Sequence, residues 1–309
     1  MVNLNNKLIY LSLVLILLLG FAWYYSITRS SEDTIDNVQE PKLQQKNTIS
    51  IGVVSDDPAK KIKLFQPTVD YLADRLSDNQ TNYTGKVVVA ETMEKAEGLL
   101  NQQNLDIFLE SPFSSVLVSK KTGSKIFLRR WKDGVAEYHS IFIVKKNSSI
   151  GTLNDINGKT IAFEDPGSTS GYFLPKAYLL QKGFNLSQSS VQNNILFVFS
   201  GSGENTPLWV IEGKVDAGAI SNMDLEKLPV SIREQLKVID RTVDVPRHVV
   251  SHRSGLDPSI VERIGQIFMN MDKDPEGIEI LNKTEKTKKF DELSEDMFLN
   301  ISKMADLLE

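Results

Sequence analysis

Cysteine is absent from all 309 residues. That excludes a disulfide, a thiolate metal site and a lipid-modified cysteine behind the N-terminal apolar segment. Histidine is nearly as scarce, with only His139, His248 and His252, and none of them has the His-Glu-x-x-His spacing of a helical zinc site. Positive charge is in deficit as well. The 35 Lys and Arg stand against 40 Asp and Glu, a formal net charge of -5. A broad basic face that would neutralise a nucleic-acid backbone is therefore not expected. What is present is globular in kind. A content of 41% hydrophobic and 24% charged residues excludes disorder along the whole chain, and the length suits two ordinary domains.

Residues 8–27 are almost wholly apolar and uncharged, and Lys7 precedes them. Such a run is long enough to cross a bilayer as a helix. It ends in the aromatic cluster Trp23, Tyr24 and Tyr25 rather than in the small residues of a cleavage site. Residues 1–28 thus read as an uncleaved N-terminal transmembrane helix, with a cleaved signal segment as the alternative, and residues 29–47 as a polar, Gln-rich tether. The globular part is expected to be extracytoplasmic, in the periplasm or at the cell exterior.

Beyond the tether, short apolar runs alternate with helical periodicity, the pattern of a βα-type sheet protein. Strands are expected at 49–55, 86–90, 106–110 and 125–131, with a first helix placing Ile62, Phe65, Val69, Leu72 and Leu76 on one face. A long strand over 137–145 would pass the chain to a second set of elements: strands at 160–163, 195–199 and 217–220, with helices at 172–181 and 205–212. Strands at 236–241 and 249–252 would bring it back, and helices at 258–271 and 294–308 would pack on the first set. The expected organisation is lobe 1 over 48–140, lobe 2 over 141–241 and a return over 242–309. Two α/β lobes of this kind bind ligands in the crevice at the carboxyl ends of their strands, so the loops that directly follow strands carry the function.

The most specific of these loops is Glu164-Asp165-Pro166-Gly167-Ser168-Thr169-Ser170-Gly171-Tyr172. A strand ends near Glu164, Pro166 and Gly167 turn the chain, and a helix starts near Ser170. The open backbone N–H groups and the positive dipole end of a helix start stabilise an anion without Lys or Arg, and three consecutive hydroxyls add donors. The same residues equally suit a plain helix cap. A second turn of the same form, Ser200-Gly201-Ser202-Gly203-Glu204-Asn205, follows the strand ending at Phe199. Arg247 and His248 precede a strand and face the same crevice in this reading, the guanidinium being able to hold an oxyanion bidentately. The basic run Arg129, Arg130 and Lys132 around Trp131 is a further candidate lining. Glu137, Tyr138, His139 and Ser140 fall at the expected crossing between lobes.

The motif Asp165-Pro166-Gly167-Ser168-Thr169-Ser170-Gly171-Tyr172 with Pro175 resembles the phosphate/phosphite/phosphonate-binding components of ABC transporters. Asp106-Ile107, Tyr138-His139-Ser140 and Gly213-Lys214-Val215-Asp216-Ala217 carry the rest of the likeness, over roughly 49–293. The resemblance implies a two-lobe type II periplasmic-binding-protein fold, capture of a small oxyanion by Ser168, Thr169, Ser170 and Gly171 without a cofactor or metal, and delivery to a membrane permease. Two pocket tyrosines of phosphonate binders correspond here to Met93 and Glu110, and a histidine of the second turn corresponds to Gly203. These departures leave the identity of the oxyanion open. Tyr138, His139 and Arg247 complete the expected ligand set.

Catalysis is not expected. Thr169, not a serine, is central in the Gly167–Gly171 frame, so it is not a nucleophile elbow, and no carboxylate pair is singled out for acid–base work. The alternative to an importer component is a membrane-anchored sensing module that works with a separate signalling partner.

Overall fold

In a computed structural model of the chain, residues 45–189 and 194–308 are described. The predicted anchor and residues 29–44 of the predicted tether lie outside the described residues. The end of that tether is in fact strand, because the first strand already begins at Gln45. No helix among the described residues is long and apolar enough to cross a membrane.

In chain order the elements are β1 (Gln45–Val54), α1 (Pro58–Leu76), β2 (Thr81–Ala90), α2 (Met93–Asn101), β3 (Ile107–Glu110), α3 (Pro112–Thr122) and β4 (Lys125–Arg130). Next come β5 (Glu137–Tyr138), β6 (Ser140–Lys145), β7 (Thr160–Phe163), α4 (Leu174–Gln181), β8 (Leu186–Ser187), β9 (Ile195–Phe199), α5 (Asn205–Glu212) and β10 (Ala217–Ser221). The chain continues through α6 (Asn222–Lys227), α7 (Val230–Arg233), β11 (Leu236–Arg241), β12 (Val245–Pro246), β13 (His248–His252), α8 (Pro258–Asn270), α9 (Pro275–Lys283), β14 (Phe290–Glu292) and α10 (Glu295–Asp306).

These strands form two mixed six-stranded sheets, ordered β14-β4-β13-β3-β1-β2 and β11-β6-β10-β7-β9-β8. In the first, β1 runs parallel to β2 and β3, while β13 is antiparallel to β3 and β4. In the second, β7 runs parallel to β9 and β10, while β6 is antiparallel to β10 and β11. Parallel neighbours require crossovers, and α1, α4 and α5 lie on such connections. A separate two-stranded ribbon joins the sheets. The outgoing β5 pairs with the returning β12, Tyr138 opposite Val245 and Glu137 opposite Pro246. The expected continuous strand over 137–145 is therefore broken at His139, between ribbon and second sheet.

Each sheet has its own core. On the first, α1 starts at Pro58 behind the Asp57 cap, whose side chain accepts the Lys60 N–H, and buries Phe65, Val69, Leu72 and Leu76. Those four side chains contribute about 6–12 kcal/mol of transfer free energy. Ile62, expected on the same face, is exposed, since the stripe starts one turn later. On the second sheet Phe142, Ile161, Phe163, Ile195 and Ala217 form the centre. The C-terminal helix α10 packs Ile301 and Met304 with Phe113 of α3 and Leu174 of α4. It thus touches a helix from each sheet rather than the first alone, contrary to expectation.

Candidate functional site

Local chemistry builds the turn after β7. Ser168 has extended backbone and caps the next helix, its Oγ accepting the Gly171 N–H at 2.9 Å. Thr169–Phe173 is a single π-turn that runs straight into α4, and such turns concentrate at functional sites. The Ser168 carbonyl accepts both the Tyr172 and Phe173 amides. Thr169 and Ser170 are buried. The Ser170 carbonyl is fixed by the Ser140 hydroxyl, which donates to it at 2.7 Å from the start of β6. The two readings of the hydroxyls divide between residues: Ser168 is the cap, whereas the buried Thr169 Oγ1, with the Tyr138 phenol nearby, makes no hydrogen bond of good geometry in the protein.

Tyr138, on the ribbon, faces this turn. Its phenol is buried, and burial raises its pKa against the opposing pull of Arg247, Ser170 and Thr169. The Arg247 guanidinium stacks over the Tyr138 ring at 4.9 Å and donates from Nη2 to Asp133 at 3.0 Å. Its Nε is buried without a partner, as is Nδ1 of the adjoining His248. Burial, with Lys132, Arg130, Arg247 and Lys61 nearby, holds the His248 pKa well below the ordinary imidazole value. This imidazole is therefore neutral near pH 7. His139 points elsewhere: Nδ1 lies 2.8 Å from Asp244 and its amide donates to Asn222.

The facing edge of the first sheet is formed by the carboxyl ends of β3 and β4 with the start of β13, where His248 registers with Arg130 and Val249 with Glu110. Burial raises the Glu110 pKa, opposed by the Ser111 N–H and by Lys132 and Lys61. Lys132 is pushed down, chiefly by burial. The other basic candidates are structural. Arg130 is fully buried, donating to Thr287 Oγ1, the Thr284 carbonyl and Glu285, and Arg129 forks onto Asp291. Met93 joins the apolar cluster of Ala96, Leu100 and Phe108.

The second turn meets the first through an acidic side chain. Glu164 accepts the Ser168 hydroxyl at 2.7 Å and lies with Gly203, Ser202, Asp224 and Lys227 in a cavity of about 600 Å³ beside the two turns. Its carboxyl pKa is raised by burial, with Asp165 and Asp224 adding to the rise.

Ser168, Thr169, Ser170, Gly171, Tyr138 and Arg247 are thus brought together, and Gly203 joins them through Glu164. Met93 and His139 have other partners. Sequence reasoning passed over Glu164 because a carboxylate beside an anion turn runs against simple charge matching. Asp224 was likewise missed, though its place just after β10, another strand end, was the available signal.

A model of the family described as ABC transporter, phosphonate, periplasmic substrate-binding protein matches residues 51–298. The phosphonates-binding periplasmic protein of Escherichia coli is 32% identical over 158 residues, 49% of this chain and 45% of that protein. The chain thus aligns with less than half the length of that relative. The phosphate-import protein PhnD of Mycolicibacterium smegmatis is 23% identical over 72% of this chain and 71% of its own. Among solved structures, XAC2383 from Xanthomonas citri, bound to chloride ion, superposes with a TM-score of 0.74 at 25% identity, covering 84% of this chain and 97% of that one. PhnD1 from Prochlorococcus marinus, in complex with methylphosphonate, superposes at 0.59 and 21% identity over 87% and 99% of the two chains, a likeness of fold. With the family model spanning both sheets and the ribbon between them, the chain belongs to the periplasmic substrate-binding protein family of phosphonate ABC transporters.

Proposed function

We propose that the chain is the extracytoplasmic solute-binding component of an ABC importer, capturing a small oxyanion of the phosphate, phosphite or phosphonate class between two hinged lobes. The observation that carries this reading is a set of buried polar atoms without partners: Thr169 Oγ1 on the second sheet's turn, and Arg247 Nε and His248 Nδ1 beside the ribbon. Buried polar groups are normally paired, and an oxyanion would pair the Thr169 hydroxyl and the Arg247 Nε–H from both sides at once, with His248 Nδ1 joining them in the tautomer that carries its proton there. The N–H groups that open the helix at Thr169 and Ser170 add to them. The two sheets correspond to the lobes of a type II binding protein, and the β5–β12 ribbon, the paired crossing between them, to the hinge on which they close. Residues 8–27 would hold the protein at the membrane, near its permease. The family's role is binding and delivery, and the site is assigned no catalytic step.

A thermal-shift series with phosphate, phosphite, methylphosphonate, aminoethylphosphonate and sulfate tests the proposal. A ligand present at one hundred times its Kd stabilises the folded state by about 2.7 kcal/mol, which raises Tm by roughly 4–5 °C in a chain of this size. No shift with any oxyanion overturns the assignment.

A further inference from the structure

Resting on the oxyanion reading above, we propose that Glu164 makes oxyanion capture proton-coupled: its carboxylate sits on the donors of the paired turns and must take up one proton for an oxyanion to bind beside it.

The Ser168 hydroxyl has one proton, and it donates that proton to Glu164 Oε2 at 2.7 Å while its oxygen accepts the Gly171 N–H. It has no second proton for a ligand. The other carboxylate oxygen faces the second turn: Oε1 lies 3.6 Å from where a Cβ on Gly203 would sit, and the Gly203 N–H favours the charged form. Gly171 completes the arrangement, for a Cβ there would collide with Glu164 Cβ and Oε2. The carboxylate is thereby held between the two turns, on the Ser168 hydroxyl on one side and facing Gly203 on the other.

The charged neighbours do not neutralise it. Asp165 lies on the same turn, Asp224 and Glu204 line the same cavity, and Lys227 is the cation there, paired with Asp224 at 3.4 Å. A dianion entering beside an ionised Glu164 meets a like charge in a partly buried site, which is unfavourable. A proton taken from solvent onto the Glu164 carboxylate turns that acceptor into a donor toward the bound oxyanion. No bond other than O–H forms or breaks.

Calorimetric titration of inorganic phosphate at pH 8, in two buffers of different ionisation enthalpy, counts the protons taken up. The wild type is expected to take up about one proton more per bound phosphate than Glu164→Gln, because the linkage adds one ionisable site. The variant is expected to bind phosphate at least tenfold more tightly at pH 8, with the difference closing toward pH 5. Equal proton uptake and equal affinity overturn the inference and leave the oxyanion site standing. If none of phosphate, phosphite, methylphosphonate, aminoethylphosphonate and sulfate is bound by either protein, or by a Glu164→Ala variant shown to be folded by circular dichroism, the oxyanion reading is overturned and this inference with it.

Discussion

The guanidinium carbon of Arg247 lies 4.9 Å from the centre of the Tyr138 ring, across the β5–β12 ribbon. Tyr138 ends β5 and Arg247 directly follows β12, so the stack links the crossing segment to the turn at Thr169 and Ser170, which the Tyr138 phenol faces. A planar, stacked guanidinium offers an Nε–H that an ammonium does not. Arg247→Lys is therefore expected to weaken oxyanion binding even though the charge is kept. A lost hydrogen bond to a charged group costs about 1.5–3 kcal/mol, or roughly 10–150-fold in affinity. Calorimetry on the two proteins checks this, and unchanged affinity would remove Arg247 from the site.

Under the proposed function, Thr169 and not Ser168 offers its hydroxyl to the oxyanion. Its Oγ1 is buried and unpaired, so Thr169→Val removes an unsatisfied polar atom and is expected to leave stability unchanged or slightly higher. Oxyanion affinity should fall by about tenfold, the value of one hydrogen bond. Chemical denaturation and ligand titration together decide: a loss of stability without loss of affinity would make Thr169 a structural residue after all.

Glu285 governs acid stability in the first sheet. Its neighbours Arg130, Lys132 and Lys61 outweigh the burial that would raise it, and hold its pKa at about 2 against an ordinary 4.5. A depressed carboxylate contributes stability that is fully present above the unfolded value and lost as pH falls through the folded one. The loss is thus expected between about pH 4.5 and pH 2. Glu285→Gln leaves Arg130 buried beside a neutral partner and should cost about 3 kcal/mol at pH 7. It should also flatten the stability–pH curve across that window, as denaturant titrations at several pH values would show. A curve parallel to that of the wild type would refute the assignment.

Strong periodicity was legible in the chain. β7, β9 and α5 fall where the apolar pattern puts them, since each has one consistent buried face or run, and β11 does so although only Leu236 in it is buried. Helix α3 was not legible. Phe113, Ser114, Ser115, Val116 and Val118 are all buried, so the helix lacks the polar face that makes a 3.6-residue period visible. The short α6, α7 and β14 escaped for lack of length, and α9, though amphipathic, was also missed.

By itself, the sequence determined the α/β class, the strand-end turns and the family motif around Ser168, because these depend on neighbours a few residues apart. Only the tertiary structure decided which hydroxyl is spent and which is free. The cap at Ser168 and its bond to Glu164 are local, but the surroundings of Thr169 and Arg247 come from distant parts of the chain, which meet at Tyr138. Likewise Arg130 became a core residue and not a ligand because Thr284, Glu285 and Thr287 close over it from the far end of the chain. Burial and hydrogen-bond satisfaction are properties of three-dimensional neighbourhoods, and residue type alone does not fix them.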